Sequence, residues 1–186
     1  MIAINDEQSV TRAEVIWEKG TNRAAFYRGE VDKYGWVDIG SSFLPSDALA
    51  AFLYIQLKNL TTIQKKRKAI WNNYYNQLKP LEEKGLLTLP VVPSYATVNG
   101  NLFYFITRSN AERDQMLKHL NNDGIQAVFH YLPLHSSSYF KDKHDGRTLV
   151  NTDKFATCIV RLPFFYGLKK SEISYIVEKV GEFYKG

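Results

Sequence analysis

Apolar positions change period several times along this chain, and each change marks an element. Ile2-Ala3-Ile4 reads as the end of a short strand, and Asn5-Asp6 leads into a helix whose Val10, Ala13, Ile16 and Trp17 recur at helical spacing. Gly20 stops that helix. From Thr21 to Pro45 no period is sustained. Gly29, Gly35 and Gly40 punctuate a polar and aromatic stretch, which predicts a long irregular loop of the kind that carries function. Ser46-Asp47 caps the next element, where Leu49, Leu53, Leu57, Leu60, Ile63, Ile70, Tyr74 and Leu78 track a period of about 3.6 residues. The spacing predicts one helix of unusual length that ends near Pro80.

Beyond Pro80 the texture becomes that of mixed strands and helices. Leu86–Val92, Leu102–Thr107, Ile125–Tyr131 and Cys158–Pro163 have strand character, separated by helical patterns over Ser109–Asn121 and Ser171–Tyr184. The first of these helices opens on the capping box Ser109-x-x-Glu112 and closes into Asn122-Asp123-Gly124. Three parts are therefore expected: residues 1–45, a bridging helix over 46–79, and a compact α+β domain over 80–186. One strand and one helix cannot bury their apolar faces alone, so residues 1–45 are expected to be the remnant of a larger domain. Val10, Ile16 and Trp17 should then form an exposed apolar patch that promotes self-association.

Composition narrows the classes. Hydrophobic residues make up 45% and charged residues 23% of 186, which excludes the disordered class. The longest apolar run, Ala48–Ile55, falls short of the roughly 20 residues that cross a bilayer, and no signal peptide is evident after Met1. The single cysteine, Cys158, sits in a strand-like apolar run and fits a reducing compartment, so a cytoplasmic chain with no membrane partner is expected. The net charge of +5 is mild, and the only dense basic run, Lys65-Lys66-Arg67-Lys68, lies within the predicted helix. Nucleic-acid binding would rest on that run alone and is not expected.

Two stretches carry candidate chemistry. His130-Tyr131-Leu132-Pro133-Leu134-His135 places two histidines at the end of a predicted strand, where they read as polar residues lining a cleft. With no HExxH and no CxxC spacing in the chain, no metal site is expected. The segment from Gly20 to Ser46 gathers Asn22, Arg23, Arg28, Asp32, Lys33, Tyr34, Trp36, Asp38, Ser41 and Ser42. Arginine combined with serine hydroxyls and backbone amides is a usual means of holding phosphate, so this loop points to an anionic ligand; composition alone leaves a plain solvated loop open.

Taken in order, these residues resemble a known family. Glu18-Lys19-Gly20-Thr21-Asn22-Arg23, Phe26-Tyr27-Arg28-Gly29 and Val31-Asp32-Lys33-Tyr34-x-Trp36-x-Asp38-Ile39-Gly40-Ser41-Ser42 closely resemble the DegT/StrS family of pyridoxal-phosphate sugar aminotransferases. The resemblance continues through Ser46-Asp47-x-x-Ala50-Ala51, Phe103-Tyr104, Ala127-Val128-Phe129-His130-Tyr131-x-Pro133-Leu134-His135 and Arg161-Leu162-Pro163-x-Phe165-Tyr166, covering essentially the whole chain. Within the family the best match is the WecE type, the dTDP-4-amino-4,6-dideoxygalactose transaminases of surface-polysaccharide synthesis.

The resemblance implies an α/β fold, that of the PLP-dependent transferases of fold type I, in incomplete form. Family members are longer. Their N-terminal large domain carries the Schiff-base lysine just before the strand that matches Met1-Ile2-Ala3-Ile4, and none of the sixteen lysines here stands at that position. The resemblance therefore implies a chain that does not transaminate alone. It also implies roles. Family members carry G-Y-N-Y-R-M-S-D before the long helix, and its Asn reaches the cofactor phosphate of the neighbouring subunit; Ser42, beside Ser41, stands there in this chain, and a hydroxyl still donates to phosphate. Asn22, Arg23, Arg28, Lys33 and Tyr34 are implied to hold the nucleotide diphosphate and sugar, and His130, Tyr131 and His135 to line the sugar pocket. The implied partners are a nucleotide-sugar substrate, a second copy in a homodimer, and a separate N-terminal half in a split enzyme. A stand-alone module that binds nucleotide sugar without chemistry is the competing reading.

Overall fold

The computed structural model describes residues 2–185. It divides into two compact units, Met1–Lys58 and Asn59–Gly186.

The first unit contains α1 (Val10–Trp17), preceded by a 3-10 turn over Glu7–Ser9, then α2 (Arg23–Tyr27) and α3 (Asp47–Lys58). Asp6 starts it by accepting from the Gln8 amide and the Ser9 hydroxyl. The expected strand Ile2–Ile4 does not form. A strand needs a neighbour, none pairs with it among the described residues, and Ile2 is 82% exposed. The expected irregular loop over 21–45 also requires correction: it contains α2 and is tied back by single antiparallel bridges between Glu18 and Ser42 and between Thr21 and Trp36. No hydrophobic side chain of this unit is buried among the described residues; every one that is lies at or beyond Ile70. Val10 and Trp17 are exposed, as the expected patch requires, whereas Ile16 is half-buried.

The expected single helix over 46–79 is two helices, α3 and α4 (Leu60–Glu83), interrupted at Asn59, a residue type whose side chain competes with the backbone for hydrogen bonds. The second helix runs one turn past Pro80, which lacks the amide that would bond the carbonyl four residues back. It ends where Gly85, at φ +70°, lets the Gly85 and Leu86 amides donate to the carbonyls of Glu82 and Leu81.

The second unit is built on a short antiparallel ladder of β1 (Phe103–Ile106) and β2 (Ile159–Leu162), with Phe103 opposite Leu162 and Phe105 opposite Val160. Side chains alternate across this ladder. Phe103, Phe105, Val160 and Leu162 enter the main core, while Tyr104, Ile106 and Ile159 gather with Cys158 on the other side. Three helices complete the unit: α5 (Asn110–Asn122), α6 (Val150–Cys158) and α7 (Lys170–Phe183). Ile70, Trp71, Tyr74 and Leu78 of α4, Met116 and Leu120 of α5, and Ile173, Ile176 and Val180 of α7 meet over the ladder, each set at helical spacing. Ser109 accepts from the Glu112 amide, as the capping box implies, but the Glu112 carboxylate reaches past Ser109 to the Arg108 amide. The free thiol of Cys158 is buried, at the end of α6 rather than in a strand.

Two expected strands shrink to single bridges, Thr88 to Ile106 and Val128 to Arg161. Pro90 and Pro93 lack the amides that would extend the first, and the Ala127 amide turns inward to the Ile125 carbonyl in the second. The order across these pairings is Thr88, β1, β2, Val128, all antiparallel. Among the described residues no helix is long and apolar enough to cross a membrane.

Candidate functional site

In the first unit the site is shaped by a close approach of backbone to backbone. After α1 the chain reverses through Lys19 and Gly20, both at positive φ. Segment 35–43 then lies against the end of α1. The Ser41 and Phe43 amides donate to the carbonyls of Ile16 and Trp17, the Lys19 amide donates to Ser41, and the Val37 and Asp38 amides both donate to Gly20. A Cβ on Gly20 would collide with the Asp38 carbonyl oxygen, and one on Gly40 with the Gly20 nitrogen, so this clasp requires glycine on both sides. Asn22 closes its far end, its amide donating to the Gly35 carbonyl and its Oδ1 accepting from the Gly35 amide at 2.8 Å.

The clasp presents the expected residues in different states. Ser41 and Ser42 are exposed, and their hydroxyls take no protein partner among the described residues. Lys33 is exposed and unpaired in the same sense. Tyr34 packs its ring against Phe26 at 5.5 Å. Arg23 folds onto the Tyr27 hydroxyl at 2.8 Å and lies 3.5 Å from Glu18, contacts that raise its pKa, the Tyr27 hydrogen bond foremost. Arg28 is more fully engaged. It donates to both carboxylate oxygens of Glu14, at 3.0 and 2.9 Å, and to both of Glu30, at 2.6 and 3.2 Å. These bonds raise its pKa, Glu30 contributing most, and the same pairing holds the Glu30 carboxyl below its ordinary range. An anion reaching Arg28 has to displace a carboxylate; one reaching Ser41, Ser42 or Lys33 does not.

In the second unit His130 lies two residues beyond the Val128–Arg161 bridge, and its Nε2 is 3.4 Å from Nη1 of Arg161. Partial burial, and secondarily the Arg161 charge, lower its pKa, so the imidazole is neutral near pH 7. Its ring packs on that of Tyr131, which is itself 73% exposed. His135, in a 3-10 turn over Leu134–Ser136, takes Asp153 of α6 at 3.0 Å and faces the ring of His144 at 5.2 Å. Phe129 lies under the guanidinium of Arg113.

Several partners were not foreseen. Glu14 and Glu18 lie four residues apart on the predicted helix, a like-charged pair that itself calls for cations, and Arg28 and Arg23 supply them. Asp153 sits 18 positions from His135 on a helix with no apolar period, and no local spacing announces it. Among the described residues one cluster has metal-ligand character, His119, Asp123 and Glu182. Its cation is already present, since the Lys179 ammonium lies 2.8 Å from Glu182 and 3.9 Å from Asp123, and His119 Nε2 lies 2.9 Å from the Lys179 carbonyl, the place of a donated N–H.

Comparison with known proteins returns one consistent result. The model of the DegT/DnrJ/EryC1/StrS aminotransferase family matches residues 1–181. Similar solved structures include NtdA from Bacillus subtilis with bound cofactor PMP (22% identity, TM-score 0.83, 99% of this chain and 41% of that one). They also include DesV of S. venezuelae in complex with a ketimine intermediate (23%, 0.82, 99% and 46%) and PseC of Helicobacter pylori, an aminotransferase involved in the biosynthesis of pseudoaminic acid (18%, 0.82, 97% and 47%). The chain thus spans less than half the length of these structures. They are PLP-dependent aminotransferases of fold type I, and the chain has part of that α/β fold.

Proposed function

Since the chain belongs to the DegT/DnrJ/EryC1/StrS aminotransferase family, we propose that it is the C-terminal portion of a PLP-dependent sugar-nucleotide transaminase, cytoplasmic and serving surface-polysaccharide synthesis. In this reading dTDP-4-keto-6-deoxyglucose and glutamate give dTDP-4-amino-4,6-dideoxygalactose. The observation that carries the reading is the family match itself, which runs through both compact units and over every motif residue described above.

The residues present fit one end of the cofactor. Exposed hydroxyls on Ser41 and Ser42, without a protein partner among the described residues and held on the glycine clasp, suit a phosphate. When bound, pyridoxal 5'-phosphate supplies the electron sink for amino-group transfer. The chain's own part is binding and orientation, and each unit has its own share: in the first, Asn22, Arg23, Lys33 and Tyr34, with Arg28 once an anion displaces a carboxylate, hold diphosphate and sugar; in the second, His130, Tyr131 and His135 position a sugar. Half-buried His130, with Nε2 turned to Arg161, offers a sugar hydroxyl the proton on its Nδ1. Amino-group transfer needs the family's Schiff-base lysine, which these 186 residues do not themselves supply, so we expect no turnover from them by themselves.

A second reading is favoured by α3. None of its residues is buried, and Leu49, Phe52, Leu53, Tyr54 and Leu57 are each more than half exposed. A helix apolar on every side is suited to burial in an assembly, so the chain works as one half of a split enzyme, as a homodimer, or as a non-catalytic nucleotide-sugar-binding module. Complementation tests both readings. The full chain is mixed with a polypeptide carrying the family's N-terminal domain and its lysine, and amination of dTDP-4-keto-6-deoxyglucose by glutamate is followed. Turnover in the mixture and none from either part is the expected result. Turnover by this chain alone would overturn the inactivity, and amination of a different keto-sugar only would overturn the substrate. Nucleotide-sugar binding that persists without turnover in the mixture would select the binding module.

A further inference from the structure

Seven of the eight arginines in this protein have a carboxylate or a carbonyl as partner. Arg12, Arg23, Arg28, Arg108, Arg113 and Arg147 each face a carboxylate, and Arg67 donates to the carbonyls of Gly100 and Asn101. Arg161 is the exception among the described residues. Its guanidinium meets neither a carboxylate nor a carbonyl, and its one polar partner is the ring of His130.

Backbone pairing fixes this arrangement. In β2 Arg161 stands opposite Tyr104 of β1, and on its other side it pairs with Val128, donating its amide at 2.8 Å and accepting at 3.1 Å. It is held from both edges, on the side of the ladder away from the main core. Guanidinium can only donate, so His130 Nε2 is the acceptor and its proton lies on Nδ1. That single bond leaves most of the five donors of the fork without a protein partner at a half-buried position, open to a ligand.

We propose that Arg161 and His130 form a subsite for an anionic group of the ligand, a phosphate or a carboxylate, with Arg161 supplying the charge and the paired donors and His130 the adjoining wall. The identity of the ligand rests on the function proposed above; the anion site does not. Two sources offer this chemistry: the diphosphate of a nucleotide sugar and a carboxylate of the amino donor.

Titration of the full chain with inorganic pyrophosphate and, separately, with L-glutamate tests it, following the His130 ring resonances by NMR, assigned through His130→Gln. Sodium chloride at matched ionic strength is the reference. A saturable shift at His130, and an affinity at least about tenfold weaker in Arg161→Gln, is the expected result. Arg161→Lys, which keeps the charge and loses the fork, should fall between, and unchanged His119 resonances report that the variants are folded. Response to pyrophosphate alone assigns the diphosphate, and response to glutamate alone assigns the donor carboxylate. No shift with either anion, a shift reproduced by chloride, or equal affinity in Arg161→Gln overturns the proposal. Such a failure is separate from failure of the complementation assay, which reads turnover and not anion binding at this position.

Discussion

Tyr74 ties α4 to the rest of the second unit through two separable contacts, and a pair of substitutions resolves them. Its ring is fully buried and stacks on Phe103 at 5.0 Å, and its hydroxyl donates to the Pro163 carbonyl just past β2 at 2.9 Å. Tyr74→Phe keeps the stack and deletes the bond, a net loss of about 1 kcal/mol, limited because the half-buried Pro163 carbonyl recovers water. Tyr74→Ala also empties the ring's volume and should cost about 3–5 kcal/mol. For a unit the length of Asn59–Gly186, thermal melting should fall by roughly 4 °C and by more than 10 °C respectively. The same hydroxyl makes an alkaline prediction. Burial raises its pKa above the ordinary 10, so the unfolded chain releases this proton first and stability declines as pH rises from about 10 upward. Urea unfolding followed by circular dichroism at pH 8 and pH 10.5 measures both effects. Tyr74→Phe should show a shallower decline than the parent, with part of the slope retained because Tyr184 is shifted the same way by burial. A Tyr74→Phe variant within about 0.3 kcal/mol of the parent, or one with the parent's full alkaline slope, would refute the reasoning.

Three further outcomes follow from the same contacts. Gly20→Ala forces a side chain into the Asp38 carbonyl at positive φ, and should speed amide exchange at Val37, Asp38 and Ser41 by at least about tenfold while leaving the second unit unchanged; equal protection would show that the clasp has no such steric need. Leu53→Glu together with Phe52→Glu should shift the chain toward monomer in analytical ultracentrifugation, whereas an unchanged distribution would place the association surface away from α3. In the complemented enzyme Ser42→Ala should weaken cofactor retention by about tenfold, and Ser42→Asn should keep it; identical retention in all three would remove Ser42 from the phosphate site.

Much of the second unit was legible because its apolar residues satisfy two periods at once. Ile70, Tyr74 and Leu78 keep the helical period and Phe103 and Phe105 the strand period, and burial rewards both in the same core. The Ser109 cap was readable for a similar reason, since donor and acceptor lie within four residues. Helix α6 buries only Cys158 and so prints no pattern, and the leucine period continues across Asn59, which hides the break between α3 and α4.

At the candidate site the division falls elsewhere. Residue order sufficed to identify the family, and it marks the loop 20–46 and the histidines as candidates. It did not reveal which charges are free. That Arg28 is claimed by Glu14 and Glu30 while Arg161 faces only an imidazole depends on pairings 14 and 31 residues apart. Local propensity acts over a turn or two of chain, whereas the state of a charge is set by whatever the folded backbone brings within a few ångströms of it, and only the tertiary structure decides that.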